Sequence, residues 1–246
     1  MTPFAAVLAL AVGLVFGLLG AGGSILTVPI MVFALKQDPK VAIVMSLPIV
    51  GGVALVGVAR HWRAGNVDLR TAIPFGIAAM IGAFGGAKLA AFLSGRTQLV
   101  ILAVLMLGAA VSMLRNANAT TAPADSARKL TPMVLGVGVL TGVLTGVVGI
   151  GGGFLLVPAL VLLAKVPMTA AVGTSLVVIA MNTVAGYVGY LGTVDVPWTI
   201  VWMFGSLAAL GILAGTALLP RVPQATLKRA FAVLLVAVSM FTLLRS

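Results

Sequence analysis

The chain has 246 residues, 61% of them hydrophobic and only 8% charged, against roughly 25% charged in a soluble domain. With a mean hydropathy of +1.25 it belongs in lipid. Its net charge of +11 comes from fifteen Lys and Arg scattered through short connections, which fits the positive-inside bias of cytoplasmic loops and not a basic stripe that tracks nucleic acid. The absence of cysteine excludes disulfides, thiolate metal sites and cysteine nucleophiles.

Eight apolar segments follow in chain order: Pro3 to Leu35, Val41 to Ala59, Thr71 to Ser94, Thr97 to Leu114, Pro132 to Ala164, Thr169 to Tyr190, Pro197 to Leu219 and Ala225 to Leu244. The opening MTPFAAVLALAVGLVFG has no basic region before its apolar run and a near-copy in mid-chain. It is expected to be a retained part of the fold and not a signal peptide. Six segments have about the 20 residues that one crossing needs. The first and fifth run for 33 residues each, about 50 Å as one helix against a hydrocarbon core of about 30 Å. Their centres are glycine-rich, GLLGAGGS at Gly17 to Ser24 and GVVGIGGG at Gly146 to Gly153. Glycine accepts the positive φ of a tight reversal, so each is read as a helical hairpin. A new helix is expected to begin at about Ser24 and about Gly153.

An ungapped offset of 129 residues aligns Gly13 with Gly142, Gly17 with Gly146, Gly20 with Gly149, Gly22 with Gly151 and Gly23 with Gly152. The register continues through Pro29 and Pro158, Ser46 and Ser175, Gly82 and Gly211, and Gly86 and Gly215. The chain therefore reads as a duplication: a first transmembrane repeat over 1–115, a linker over 116–131 and a second repeat over 132–246. If each long segment crosses once, the basic residues of the connections divide seven to seven and give no orientation. If each is a hairpin that returns to its starting side, they divide ten to four, with Lys36, Lys40, Arg96 and Arg245 the minority. The positive-inside rule favours the hairpins. Each half then crosses an odd number of times, so the halves are inverted, as in many secondary transporters, and both termini face outward. The fold expected is an all-α integral membrane protein of two inverted repeats.

A transporter of this plan binds its cargo where broken helices offer bare N–H groups and a positive dipole end, which attract anions. The candidate ligands are Gly20, Gly22, Gly23 and Ser24 in the first bend and Gly149, Gly151, Gly152 and Gly153 in the second. Ser46, and Thr174, Ser175 and Asn182 in VGTSLVVIAMNT, follow in the next segments, since hydroxyls and amides donate to an oxyanion without adding a charge. The competing readings are glycines that let helices pack closely, hydroxyls bonded to their own helix, and Asn182 bridging two helices. Lys88, the one charge well inside a segment, is either a snorkelling residue or a charge partner of the substrate. His61 belongs with Arg60, Trp62 and Arg63 at an interface. No nucleophile is paired with a base and no two carboxylates stand together, so an enzyme is not expected. The glycine strings lack the Lys-Ser/Thr of a phosphate loop. No cofactor and no metal are expected; the partners are the bilayer and a small anion, and the oligomeric state stays open, a homodimer included.

GLLGAGGSILTVPIM and GVVGIGGGFLLVPALVLL, each followed by an apolar segment with Ser-Leu, resemble the sulfite exporter TauE/SafE family, also called the toluene sulfonate uptake permease family. The resemblance covers essentially the whole chain. It implies transport of sulfur-containing oxyanions, such as sulfite, sulfoacetate or related organosulfonates, across the inner membrane of a prokaryotic cell, with Gly20, Gly22, Gly23, Gly149, Gly151 and Gly152 as the motif positions. VMSLPIV lacks the Gly-Thr that precedes Ser175, so the halves need not contribute equally. With every carboxylate (Asp38, Asp68, Asp125, Asp195) in a connection, no proton relay is in sight. An interior negative by 100 mV favours exit by about 2.3 kcal/mol per charge, so about 4.6 for a dianion. Potential-driven export is the leading reading; ion-coupled uptake of an organosulfonate, or a channel or nontransporting scaffold, is the alternative.

Overall fold

A computed structural model describes residues 3–115, 132–149, 156–157, 160, 166, 168–218 and 224–245. Every regular element among them is helical: α1 (Pro3–Leu19), α2 (Thr27–Pro29), α3 (Pro39–Arg63), α4 (Leu69–Ala90), α5 (Gly95–Arg115), α6 (Pro132–Val148), α7 (Met168–Tyr190), α8 (Trp198–Leu218) and α9 (Gln224–Arg245). Between α1 and α2 the chain winds as a 3₁₀ helix over Gly20–Leu26, and α2 runs on as a π-helix over Ile30–Ala34. The first long apolar segment is thus broken at Gly20. The helical starts Pro3, Pro39, Leu69 and Gly95 recur at Pro132, Met168, Trp198 and Gln224, the spacing at which the sequence aligns with itself.

Local chemistry sets the boundaries. Asp38 caps α3, its carboxylate accepting from the Lys40 N–H at 2.9 Å, with Pro39 in the first turn where an N–H has no partner to lose. The Lys40 Nζ donates to the Ala91 carbonyl at 3.2 Å and so ties the start of α3 to the end of α4. The latter helix stops at Ala90, four residues before the expected Ser94, in a turn that leads to Gly95. Asp68 stands at the N-cap of α4 and accepts from the Thr71 hydroxyl at 2.8 Å.

Four helices, Pro39–Arg63, Leu69–Ala90, Ala170–Tyr190 and Trp198–Leu218, are long and apolar enough to cross a membrane, and shorter apolar helices accompany them. The outside is as apolar as the core. Phe92 is 88% and Trp202 72% exposed, while Phe16, Phe75, Phe204 and Met45 are buried. Helices that are apolar all round sit in lipid.

Glycines fix how these helices meet. A Cβ on Gly13 would lie 1.9 Å from the Ala208 carbonyl oxygen, and one on Gly17 2.4 Å from that of Ile212, so α1 and α8 touch backbone to backbone and run parallel. The same holds for α4 and α6, where a Cβ on Gly82 or Gly86 would strike the Val139 or Val143 carbonyl, and one on Gly142 or Gly146 those of Ala79 and Ala83. Helix α7 runs parallel to α4, since Gly76 faces Met181 and Gly189 faces Ala87. It runs antiparallel to α3: Leu47 meets Gly186, Gly51 meets Thr183 and Gly57 meets Leu176. Every one of these pairings joins the first half of the chain to the second.

Candidate functional site

The glycines of the two long segments divide into two groups. Gly13 and Gly17, like Gly142 and Gly146, are four residues apart, face another backbone and belong to the helix-packing surface. Both Gly17 and Gly146 lie inside helices that run on to Leu19 and Val148, so the bend starts later than the glycine strings suggest. Gly20, Gly22 and Gly23 fall in the 3₁₀ turn. A Cβ on Gly23 would lie 2.4 Å from the Phe16 Cα, which brings that residue back against the helix it has just left. Ser24, expected to begin a helix, is fully buried inside the 3₁₀ stretch, and α-helix resumes only at Thr27.

In the second bend Gly149 ends α6. Its N–H donates to the Thr145 carbonyl at 2.8 Å and its φ is +75°, the left-handed conformation that side chains resist. A Cβ here would also lie 2.5 Å from the Ile43 carbonyl oxygen. Gly151, Gly152 and Gly153, with the helix start expected near Gly153, lie outside the described residues.

Two of the expected ligands come together across the halves. The Ser46 hydroxyl lies 2.5 Å from the Gly149 carbonyl oxygen and 2.6 Å from that of Ile43, and its one proton serves either acceptor. The other hydroxyls are engaged elsewhere. Ser175 donates to the Val172 carbonyl of its own helix at 2.7 Å. The Thr174 oxygen accepts from the Asp68 N–H at 3.0 Å, and the neighbouring Gly173 packs under Asn66, so this pair secures the α3–α4 connection. Lys88 is exposed near the end of α4 with Nζ 5.6 Å from the centre of the Phe84 ring.

Asn182 differs from all of these. It sits near the middle of α7, is 0% exposed, and neither its Nδ2 nor its Oδ1 has a partner. It does not bridge helices. The adjacent Thr183 and Met181 face Gly51 of α3 and Gly76 of α4, which sets its level in the bundle.

Three polar residues went unread in the sequence. Gln98 donates to the Val147 carbonyl at 2.7 Å and to the Tyr190 hydroxyl at 3.0 Å, and so satisfies a carbonyl left over where α6 stops. Its signal is a lone amide at the start of an apolar run. Thr27 is 0% exposed with an unpartnered hydroxyl; nothing in the sequence marks it, because a helical Thr ordinarily bonds its own helix. Among the described residues no three His, Asp or Glu gather where they could hold a metal ion.

A helical bundle with apolar faces inside and out, close-packed on glycine and holding an unpaired amide near the middle of one long apolar helix, is a multi-pass membrane protein. The Sulfite exporter TauE/SafE family profile matches residues 5–242, and the chain belongs to that family of membrane transporters. A "Probable membrane transporter protein" of Xylella fastidiosa (strain 9a5c) is 32% identical over 243 residues, 96% of this chain and 92% of that one. The "Probable membrane transporter protein MJ0441" of Methanocaldococcus jannaschii is 28% identical over 197 residues, covering 78% and 73% of the two chains. YdhB of Bacillus subtilis, with the same description, is 26% identical over 225 residues, 89% and 90%. No solved structure matches.

Proposed function

We propose that this transporter exports small sulfur-containing oxyanions, sulfite or organosulfonates such as sulfoacetate, driven by the membrane potential, through two inverted repeats whose glycine bends are re-entrant hairpins. The observation that carries this architecture is helix direction. Helices α6 and α7 are both parallel to α4, and a return of the chain between them to the side from which α6 started accounts for this. In the first half α1 is parallel to α8, α8 follows α7 through a short reversal, and α7 is antiparallel to α3. Helices α1 and α3 therefore also run the same way, which requires a return between them. Equivalent helices α3 and α7 point in opposite directions, as inverted halves require.

Re-entrant bends leave helix ends inside the membrane, where unpaired N–H groups suit an anion. Gly20, Gly22, Gly23 and Ser24 on one side, with Gly149 and the segment beyond it on the other, are the proposed tips, and Asn182 supplies an amide at mid-level. Asp38 and Asp68 stand at helix caps and Asp195 in the α7–α8 connection, away from the middle of any helix. That placement favours movement of the anion on its own charge, about 2.3 kcal/mol per charge for 100 mV. The test is flux from proteoliposomes loaded with sulfite. Efflux is expected to rise when the lumen is made negative and to ignore imposed proton or sodium gradients. Accumulation of sulfite against its gradient, coupled to either ion, would overturn the export reading.

A further inference from the structure

Asn182 has two orphaned atoms, and they are chemically different. Exchanging its oxygen and nitrogen changes nothing, because both positions are buried and unpartnered. A ligand that satisfies this amide must offer an acceptor to Nδ2 and a donor to Oδ1. Among the described residues the other buried side-chain atoms without a partner are the Thr27 hydroxyl, Gln98 Oε1 and His61 Nδ1. Of these residues only Thr27 matches Asn182 in being fully buried with no hydrogen bond from its side chain, and its hydroxyl can donate once more. The two residues stand on elements gathered about one helix pair. The 3₁₀ stretch that ends at Leu26 packs on α7, and α2 with Thr27 packs on α3.

The duplication provides an internal comparison. At the position equivalent to Asn182 the first half has Val53, and at that equivalent to Thr27 the second half has Leu156; both are buried. An apolar side chain thus fits either place in the same fold. Two polar groups are held unpaired out of water where the matching place in the other half is apolar, and isolated buried polar atoms are destabilising. Buried hydroxyls elsewhere avoid this: those of Thr141, Thr145, Ser175 and Thr183 all bond carbonyls of their own helix.

Charge narrows the ligand further. Among the Lys and Arg whose exposure is described, Lys36, Lys40, Arg60, Arg63, Arg70, Lys88 and Arg96, none is buried, so none of these seven meets the cargo as a buried cation. The desolvation of an ion grows with the square of its charge, which makes a dianion about four times as costly to bring in as a monoanion. A dianion such as fully deprotonated sulfite also has no donor and would set its charge against the lone pairs of Asn182 Oδ1.

We propose that the cargo crosses as a singly charged oxyanion that carries its own hydrogen-bond donor, with Asn182 reading donor and acceptor together and Thr27 adding one donor to the oxyanion. A hydrogen-oxyanion such as the protonated form of sulfite fits, as does a sulfonate with a hydroxyl; a sulfonate without a donor, or a dianion, fits less well, which ranks ionised sulfoacetate below these within the sulfur-oxyanion class. This inference rests on the sulfur-oxyanion reading of the preceding subsection and specifies the species within it.

The test compares ethanesulfonate with 2-hydroxyethanesulfonate, two monoanions that differ by one hydroxyl, as stabilisers of the purified full-length protein against thermal unfolding. Ligand that binds the folded state raises the unfolding temperature with concentration, which yields apparent affinities. The hydroxylated anion is expected to bind at least about tenfold more tightly. Asn182→Leu should erase that preference. Thr27→Val should weaken both sulfonates alike and leave their ratio unchanged; unfolding without ligand checks that each variant is folded. Equal binding of the two sulfonates by the unaltered protein, or a preference that survives Asn182→Leu, overturns the inference while the sulfur-oxyanion reading stands. No stabilisation by either sulfonate or by sulfite removes that reading and the inference with it.

Discussion

Glycines on one helix of this protein have opposite duties. Gly142 of α6 faces α4 so closely that a Cβ would lie 2.0 Å from the Ala79 carbonyl oxygen, whereas Gly136, on the same helix, has nothing within 4 Å. Backbone cannot move aside as a side-chain tip can, so Gly142→Ala is expected to destabilise the folded protein by about 1–3 kcal/mol. Gly136→Ala removes chain freedom from an exposed helical position and should raise stability by about 0.5–1 kcal/mol. Thermal unfolding in one detergent decides both, and a Gly142→Ala protein as stable as the parent would mean that α4 and α6 do not meet on their glycines. This division was half legible in the sequence. Four-residue spacing is visible for Gly13 and Gly17 and for Gly142 and Gly146, but the run of glycines that follows hides where packing ends and bending begins. Asn182 could be read as a polar residue inside an apolar run; that it lacks a partner could not, because partnership depends on which helix faces it.

At the scale of elements, the six single-length segments matched helices to within a few residues, because hydropathy and caps such as Asp38 set those limits locally. The break in the first long segment was legible too, from excess length and clustered glycine. Its 3₁₀ and π winding was not, since it accompanies the return of Gly23 onto Phe16. The end of α6 depends on partners farther off. Val147 keeps its carbonyl satisfied through Gln98, with the Tyr190 hydroxyl behind at 3.4 Å. At the positions equivalent to Gln98 and Tyr190 the other half has Leu227 and His61, so the repeat pattern gives no hint of this cluster. Gln98→Leu should lower stability by about 1–2 kcal/mol, since it leaves the carbonyl with only the long contact. Tyr190→Phe should cost less, because the 2.7 Å bond from Gln98 remains. Thermal unfolding of the two variants checks the order, and a larger loss for Tyr190→Phe would reverse the assignment of the supporting residue.

For the molecule as a whole, the direction of α3 relative to α7 ties the local bends to overall topology, and a labelling experiment can separate the two possible arrangements. Ala64 in the α3–α4 connection and Thr193 in the α7–α8 connection are both exposed. Between them the chain passes through α4, α5, the segment that begins with α6, and α7. If that segment returns to its starting side, an odd number of crossings separates the two residues and they lie on opposite faces of the membrane. If it crosses once, the number is even and they share a face. The chain has no cysteine, so Ala64→Cys and Thr193→Cys each introduce a single thiol. On the proposed hairpin arrangement the basic residues divide ten to four, which would put the Ala64 end, with Arg60 and Arg63, in the cytoplasm. A membrane-impermeant maleimide should therefore label Thr193→Cys in intact cells and Ala64→Cys only after permeabilisation. Labelling of both from the same side would require the 149–167 segment to cross once, and the inverted arrangement, together with the anion-binding tips proposed from it, would have to be given up.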